Sequence, residues 1–228
     1  MLAFGRALHR VEAMCRMFGM AATTAVSPRA LLHDAPRSLR ALSREHPDGW
    51  GIAVRSDDWL VERSTTCADA CARFATVADR AASLVIAHVR KATVGPVSLA
   101  NTHPFVRGRY AFAHNGTVDT RPLAIAPAHA AAITGDTDSE RLFAYVLTCI
   151  DTGDLATGVK ALAGLGTASF LFSDGEHLYA HRLGRALYTL HRPGVALVAS
   201  EPLTDEPWLE LRDGAFVEIA PARAALAA

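Results

Sequence analysis

Apolar runs of strand type occur in both halves of the chain with two helical segments between them, and this order limits the fold more than any other feature. Trp50–Arg55 and Trp59–Arg63 read as strands flanking an Asp57-Asp58 turn. Ser83–Val89 is an apolar run suited to a buried strand, and Tyr110–His114 is another, ended by the turn signal Asn115-Gly116. Cys67–Arg80 is rich in alanine and reads as a helix. Thr137–Thr152 reads as a second helix, with Asp138 and Glu140 in its first turn, where negative charge complements the helix dipole. Leu155–Leu162 follows as a third. From Thr167 onward short strands alternate with turns at Asp174-Gly175, Pro193-Gly194 and Asp213-Gly214. Strands, then two helices, then strands imply stacked sheets with helices packed outside them. No repeat, low-complexity tract or Pro/Gly/Ser-rich linker divides the 228 residues, and half of them are hydrophobic, so one domain with a sizeable core is expected.

The same chain excludes several function classes. Its 23 basic residues balance 23 acidic ones and form no long run, so no nucleic-acid partner is expected. No apolar stretch reaches the ~18 residues of a membrane span, so no membrane partner is expected either. Cys15, Cys67, Cys71 and Cys149 do not make a dense disulfide framework, which suits a reducing cytoplasm. Cys67 and Cys71 stand at i, i+4 on the expected helix and read as two small buried residues, because no second Cys or His pair has zinc-like spacing. His88, His103 and His114 lie on or beside strands without a local H-x-x-x-H pattern, which argues against zinc. They read as structural, with His103 nearest to a site. Neither a metal nor a cofactor is expected.

Met14-Cys15 is the feature with the most chemical consequence. If Cys15 becomes the first residue, its free α-amine stands beside its own thiol. An α-amine with a pKa near ~7.7–8 can accept a proton at neutral pH, and nucleophiles activated in this way are a known class. The preceding segment, MLAFGRALHRVEA, is interrupted by Arg6, His9 and Arg10 and lacks the apolar core of a signal peptide. Residues 1–14 therefore read as a leader that arises from a misplaced start codon or is removed, with Met14 as the initiator and trimmed. Residues 15–220 form the expected domain and 221–228 a frayed, alanine-rich tail.

Polar residues end several apolar runs: His46-Pro47-Asp48-Gly49-Trp50-Gly51, Ala87-His88-Val89-Arg90-Lys91-Ala92-Thr93, Asn101-Thr102-His103-Pro104-Phe105, Ala113-His114-Asn115-Gly116-Thr117 and Gly135-Asp136-Thr137-Asp138-Ser139-Glu140. Each alone is explained by turns, caps or buried histidines. In this order, behind Met14-Cys15, they resemble the class II glutamine amidotransferases, N-terminal-nucleophile (Ntn) hydrolases. The resemblance runs from Cys15 to Ala199-Ser200-Glu201 and is greatest to small stand-alone members related to γ-glutamyl hydrolases of thiol metabolism and ergothioneine synthesis. It implies an α+β fold: a four-layer αββα sandwich of two stacked, mainly antiparallel sheets with outer helices.

The resemblance also implies roles. Cys15 is the nucleophile that forms a γ-glutamyl thioester. Asn115 and Gly116 supply an oxyanion hole from a side-chain amide and a backbone N–H. Arg90 takes the substrate α-carboxylate, for which a planar guanidinium is suited, Thr93 adds a hydrogen bond there, Asp138 takes the α-ammonium, and His103 touches the site. Where the sugar-phosphate and nucleotide amidotransferases carry Trp and His, this chain has Lys91 and Val94. Those enzymes also carry a large synthase domain, and none is expected here. The expected activity is cysteine-dependent cleavage of the γ-amide of glutamine or a γ-glutamyl conjugate. Two further readings are a glutaminase subunit that serves a separate synthase or peptidase partner, and a non-catalytic glutamine-binding module if Cys15 stays internal.

Overall fold

The computed structural model describes residues 15–221. The expected leader at 1–14 and the tail beyond Pro221 lie outside the described residues. The elements run β1 (Arg16–Val26), one π-helical turn (Ala30–Asp34), α1 (Leu39–Leu42), β2 (Trp50–Arg55), β3 (Trp59–Ser64), α2 (Ala72–Ala78), β4 (Ala82–Val89), β5 (Phe105–Arg107) and β6 (Tyr110–Val118). They continue with α3 (Pro127–Ala131), α4 (Asp138–Asp151), α5 (Leu155–Lys160), β7 (Gly166–Ser173), β8 (Leu178–His181), β9 (Tyr188–Arg192), β10 (Val195–Ala199), β11 (Leu209–Glu210) and β12 (Phe216–Glu218).

Two antiparallel sheets result, one in the order β11-β9-β10-β1-β4-β2-β3 and the other β12-β8-β7-β6-β5. Alternation along each strand sorts the side chains into three apolar layers. Met17 and Ala21 of β1 and Leu84 and Ile86 of β4 meet Ala111 and Ala113 of β6 and Leu171 of β7 between the sheets. Phe18 and Met20 face the other way, toward Leu31, Leu32, Leu39, Phe74 and Val77 of the helical layer. Phe112, Phe170 and Phe172 turn outward onto Leu142, Phe143 and Val146 of α4. Helix, sheet, sheet, helix is the αββα order. Small inner residues on β6 and large outer ones let the sheets approach while the helices fill the flanks. Among the described residues no helix is long and apolar enough to cross a membrane.

Two local expectations are corrected. The helix over Cys67–Arg80 shortens to Ala72–Ala78, because Ser43 captures the preceding segment: the Asp69 amide donates to Ser43 Oγ (3.0 Å), and Cys67 Sγ lies 3.2 Å from the same oxygen. Cys71, in extended conformation, then precedes the helix rather than lying within it, and its side chain makes no capping hydrogen bond. Asn115-Gly116 is not a turn. Both residues continue β6 and pair with Ser169 and Ala168 of β7. Gly116 is required there by close approach, since a Cβ would lie 2.1 Å from the Thr167 carbonyl oxygen, and its φ is +151°.

Candidate active site

Cys15 immediately precedes β1, the strand between β10 and β4. Arg16 pairs with Val89 at the end of β4, so the chain leaving β4 passes directly beside the cysteine. Cys15 Sγ accepts from the Lys91 amide (3.2 Å) and donates to the Lys91 carbonyl (3.3 Å). The second sheet closes on the same residue: Asn115 Nδ2, on β6, donates to the Cys15 carbonyl oxygen (2.8 Å). Arg16 Nη1 reaches that oxygen as well (3.3 Å), while its Nε bonds Glu201 (2.6 Å), which also takes Arg37. The start of β1 is further tied to the chain after β10 by the Met17 amide on Ser200 Oγ (2.9 Å).

A single cavity gathers Cys15, Arg90, Thr93, His103, Asn115, Gly116 and Asp138. All the residues singled out from the sequence therefore face one space, although they come from five separate stretches of chain. Burial pushes the Cys15 thiol above its ordinary range, against the opposing pull of the Lys91 amide and the Arg90 charge.

Arg90 is buried, and its guanidinium turns to loop carbonyls: Nη1 to Pro96 (3.1 Å), Nη2 to Val94 (3.1 Å) and to Gly95 (3.3 Å). Desolvation draws its pKa down, and the nearby Cys15 and Asp48 oppose this. Asp48 fixes the root of the loop: its amide donates to the Arg90 carbonyl (3.0 Å), and its Oδ2 accepts from the Ala92 amide (2.8 Å). Thr93 is exposed at the cavity mouth.

Asp138 opens α4. Thr137 caps the helix, its hydroxyl accepting from the Glu140 amide (3.3 Å), and Asp138 Oδ2 accepts from the Val118 amide (2.8 Å), docking the helix start on β6. Glu140 turns back to the Thr134 and Gly135 amides and to Arg107, which compensates its burial.

Two histidines, His103 and His114, line the cavity. His114 is pinned by Ser139 Oγ (2.8 Å) and the Thr167 carbonyl (3.2 Å). A carbonyl only accepts, so Nε2 carries the proton and Nδ1 receives the serine hydroxyl. The His88 and His103 rings stack with centroids 4.3 Å apart. The ring nitrogens of His46, His88 and His103 meet no protein partner among the described residues. Burial drives these rings toward the neutral form, His46 to about 4, His88 to about 3, and His103 well below the ordinary histidine range. Among the described residues no set of three or more His, Cys, Asp or Glu is arranged to hold a metal ion.

The family model for class-II glutamine amidotransferases matches residues 14–194. The chain belongs to the class-II glutamine amidotransferases. The chain is 32% identical to a gamma-glutamyl-hercynylcysteine sulfoxide hydrolase of Mycobacterium tuberculosis, over 90% of this chain and 93% of that protein. Its fold is similar to that of a glutamine aminotransferase class-II domain protein from Silicibacter pomeroyi, with a TM-score of 0.62, 25% identity, and coverage of 91% of this chain and all of the other. Glutamine phosphoribosylpyrophosphate amidotransferase from B. subtilis shares the fold, with a TM-score of 0.72 over 90% of this chain and 47% of that one at 18% identity.

The sequence reading did not single out Asp48, Asn101, Arg16 or Glu201 as site residues. Asp48 and Asn101 belong to the ordered motifs, and a further polar residue inside such a motif is the signal that points to them.

Proposed function

We propose that this chain hydrolyses the γ-amide of glutamine or of a γ-glutamyl conjugate, with Cys15 as the nucleophile once it is the first residue. The observation that carries the reading is the convergence of the Cys15 thiol, the Asn115 amide, the Arg90 guanidinium and the Asp138 carboxylate on one cavity.

In the first half-reaction Sγ bonds to the γ-carbonyl carbon, and the thiol proton passes to the α-amine of Cys15. The oxyanion is met by Asn115 and Gly116. Asn115 Nδ2 carries two hydrogens, of which the Cys15 carbonyl occupies one, so the second is available. As the tetrahedral species collapses, the C–N bond breaks and the leaving amine takes the proton from the α-ammonium. Water then attacks the thioester, the C–S bond breaks, glutamate leaves and the thiol is restored. Asp138 holds the substrate ammonium and Arg90 the carboxylate. That carboxylate competes with the Val94, Gly95 and Pro96 carbonyls for the guanidinium.

The test begins with the intact mass of the protein made from its native gene, followed by glutamate release from glutamine and from γ-glutamyl amino acids. A chain that starts at Cys15 and loses glutamate release on Cys15→Ala, with its unfolding transition retained, is expected. Undiminished release from Cys15→Ala would overturn the reading. A homogeneous chain that retains Met1–Met14 and yet turns over substrate would overturn the α-amine step.

A further inference from the structure

We propose that Asn101 is a positioning residue that sets the distance between the two ends of the glutamyl site. The inference rests on the reading in which Arg90 and Asp138 hold the substrate carboxylate and ammonium. Asn101 does not line the cavity, and its side chain is completely buried. Its carboxamide spans two segments that no secondary structure joins. Nδ2 donates to the Pro96 carbonyl (3.1 Å), and Oδ1 accepts from the Asp136 amide (2.8 Å). The Pro96 oxygen is the same one that takes Arg90 Nη1. Asp136 stands two residues before Asp138, on the chain that enters the cap of α4. One side chain thus connects the loop that orients the guanidinium to the segment that delivers the carboxylate.

The surroundings are shaped for this one group. A Cβ on Gly95 would lie 2.8 Å from Asn101 Nδ2, and one on Gly135 would lie 2.3 Å from Oδ1 and 2.9 Å from the Ala100 carbonyl. The glycines on the two sides leave just the width of a carboxamide. The backbone of Asn101 is itself held, its amide donating to the Ser98 carbonyl (3.2 Å) and Ser98 Oγ (3.3 Å). The strap needs a donor at one end and an acceptor at the other. Aspartate keeps the acceptor but sets a carboxylate oxygen against the Pro96 carbonyl, and leucine removes both bonds at similar volume. Leaving a buried partner unpaired costs enough to shift an equilibrium about ten- to a hundredfold.

The test measures binding of L-glutamate to the full chain by calorimetry, together with kcat and KM for glutamine. L-Glutamate carries both recognised ends and no leaving group. Asn101→Asp and Asn101→Leu are expected to weaken L-glutamate binding and raise KM about ten- to a hundredfold, while kcat at saturation stays within about threefold. The rate of Cys15 alkylation is expected to stay unchanged, since Asn101 does not touch the thiol. Asn101→Ser, a smaller side chain too short to span both partners, is expected to weaken glutamate binding in the same direction and decides the matter if the Asp and Leu variants fail to fold. Unchanged glutamate affinity in the folded variants would overturn the proposal. So would a fall in kcat and alkylation rate with KM unmoved. Asp138→Asn and Arg90→Lys are run beside them. If these leave glutamate binding untouched, the assignment of the two substrate ends fails, and that result is separate from any result at Asn101.

Discussion

The buried histidines make the fold sensitive to mild acid. His46 and His88 are completely buried, and their rings are held neutral down to about 4 and about 3. Burial is the first cause for both. Arg90 faces His88 with a fixed positive charge, to which protonation of His114 or His46 would add, and Arg16 and Lys91 face His46, with Glu201 and Asp48 opposing. In the unfolded chain each ring takes a proton near pH 6.5, so between that pH and the folded values the unfolded state binds more protons and stability falls with acidification. At pH 4.5 each group costs on the order of 2–3 kcal/mol from a separation of about two pH units. The pair therefore removes about 5 kcal/mol, comparable to the lower end of the ~5–15 kcal/mol that stabilises a typical domain. His103 and His114, whose folded values are also lowered, act in the same direction. The carboxylates that are lowered, such as Asp119 beside Arg121, lose their contribution only below the carboxylate range, so the window above pH 4.5 belongs to the histidines. Urea midpoints measured from pH 7.5 to 4.5 are expected to fall steeply from about pH 6.5. His88→Met, which removes the titratable ring and keeps an apolar side chain in its place, is expected to reduce the slope by about 1.4 kcal/mol per pH unit. A flat native profile, or a slope unchanged in His88→Met, would refute the reasoning.

Three further outcomes follow from local geometry. Gly116→Ala is expected to lower stability by about 2–4 kcal/mol in chemical denaturation, because its Cβ meets the Thr167 carbonyl and cannot be relieved by rotating a side chain. Thr137→Ala is expected to cost about 1 kcal/mol by removing the cap of α4, read from the same experiment. In a chain that retains Met14, iodoacetamide is expected to label Cys15 slowly at pH 7 and faster as pH rises above about 9, since burial raises the thiol and alkylation follows the thiolate.

The parts of this fold that were legible in the sequence are those set by local pattern. β2, β3 and β4 appear within a residue of the expected bounds, and α4 spans Asp138–Asp151, one residue inside the expected helix at each end. The three late turns carry Gly175, Gly194 and Gly214 at φ +90°, +71° and +78°, the left-handed backbone that a Gly turn signal reports. What failed depends on distant partners. Asn115-Gly116 has the composition of a turn, but β7 runs alongside and the missing Cβ is used for close approach instead. The start of the Cys67 helix is lost to a serine 24 residues upstream. β1 was not anticipated as a strand, although it pairs with β4 and β10 on its two sides, because Ala and Thr dilute the apolar alternation in RMFGMAATTAV. For the site, the ordered motifs pick out residues that the fold brings to one cavity. Arg90's engagement with loop carbonyls and the strap at Asn101 were not legible, since both depend on where backbone oxygens of the 94–96 loop come to rest.

The arrangement around Cys15 bears on where its base must come from. Sγ both accepts from and donates to Lys91 backbone groups, which is the pattern of a neutral thiol, and burial favours that form. A nucleophile in this setting needs a proton acceptor close by. His114 has both ring nitrogens engaged, with Nδ1 already receiving the Ser139 hydroxyl. His103 lines the cavity, but burial beside His88, His114 and Arg90 makes its ring a weak base. Asp138 holds the Val118 amide and, in the proposed complex, the substrate ammonium. The α-amine of Cys15, with a pKa near ~7.7–8, is matched to neutral pH and lies within the same residue as the thiol. As a peptide nitrogen joined to Met14 it has no basicity. In the proposed reaction the pocket, the Asn115 and Gly116 donors and the Arg90 and Asp138 anchors come from the fold, and exposure of one amine is the step that makes the Cys15 thiol a nucleophile.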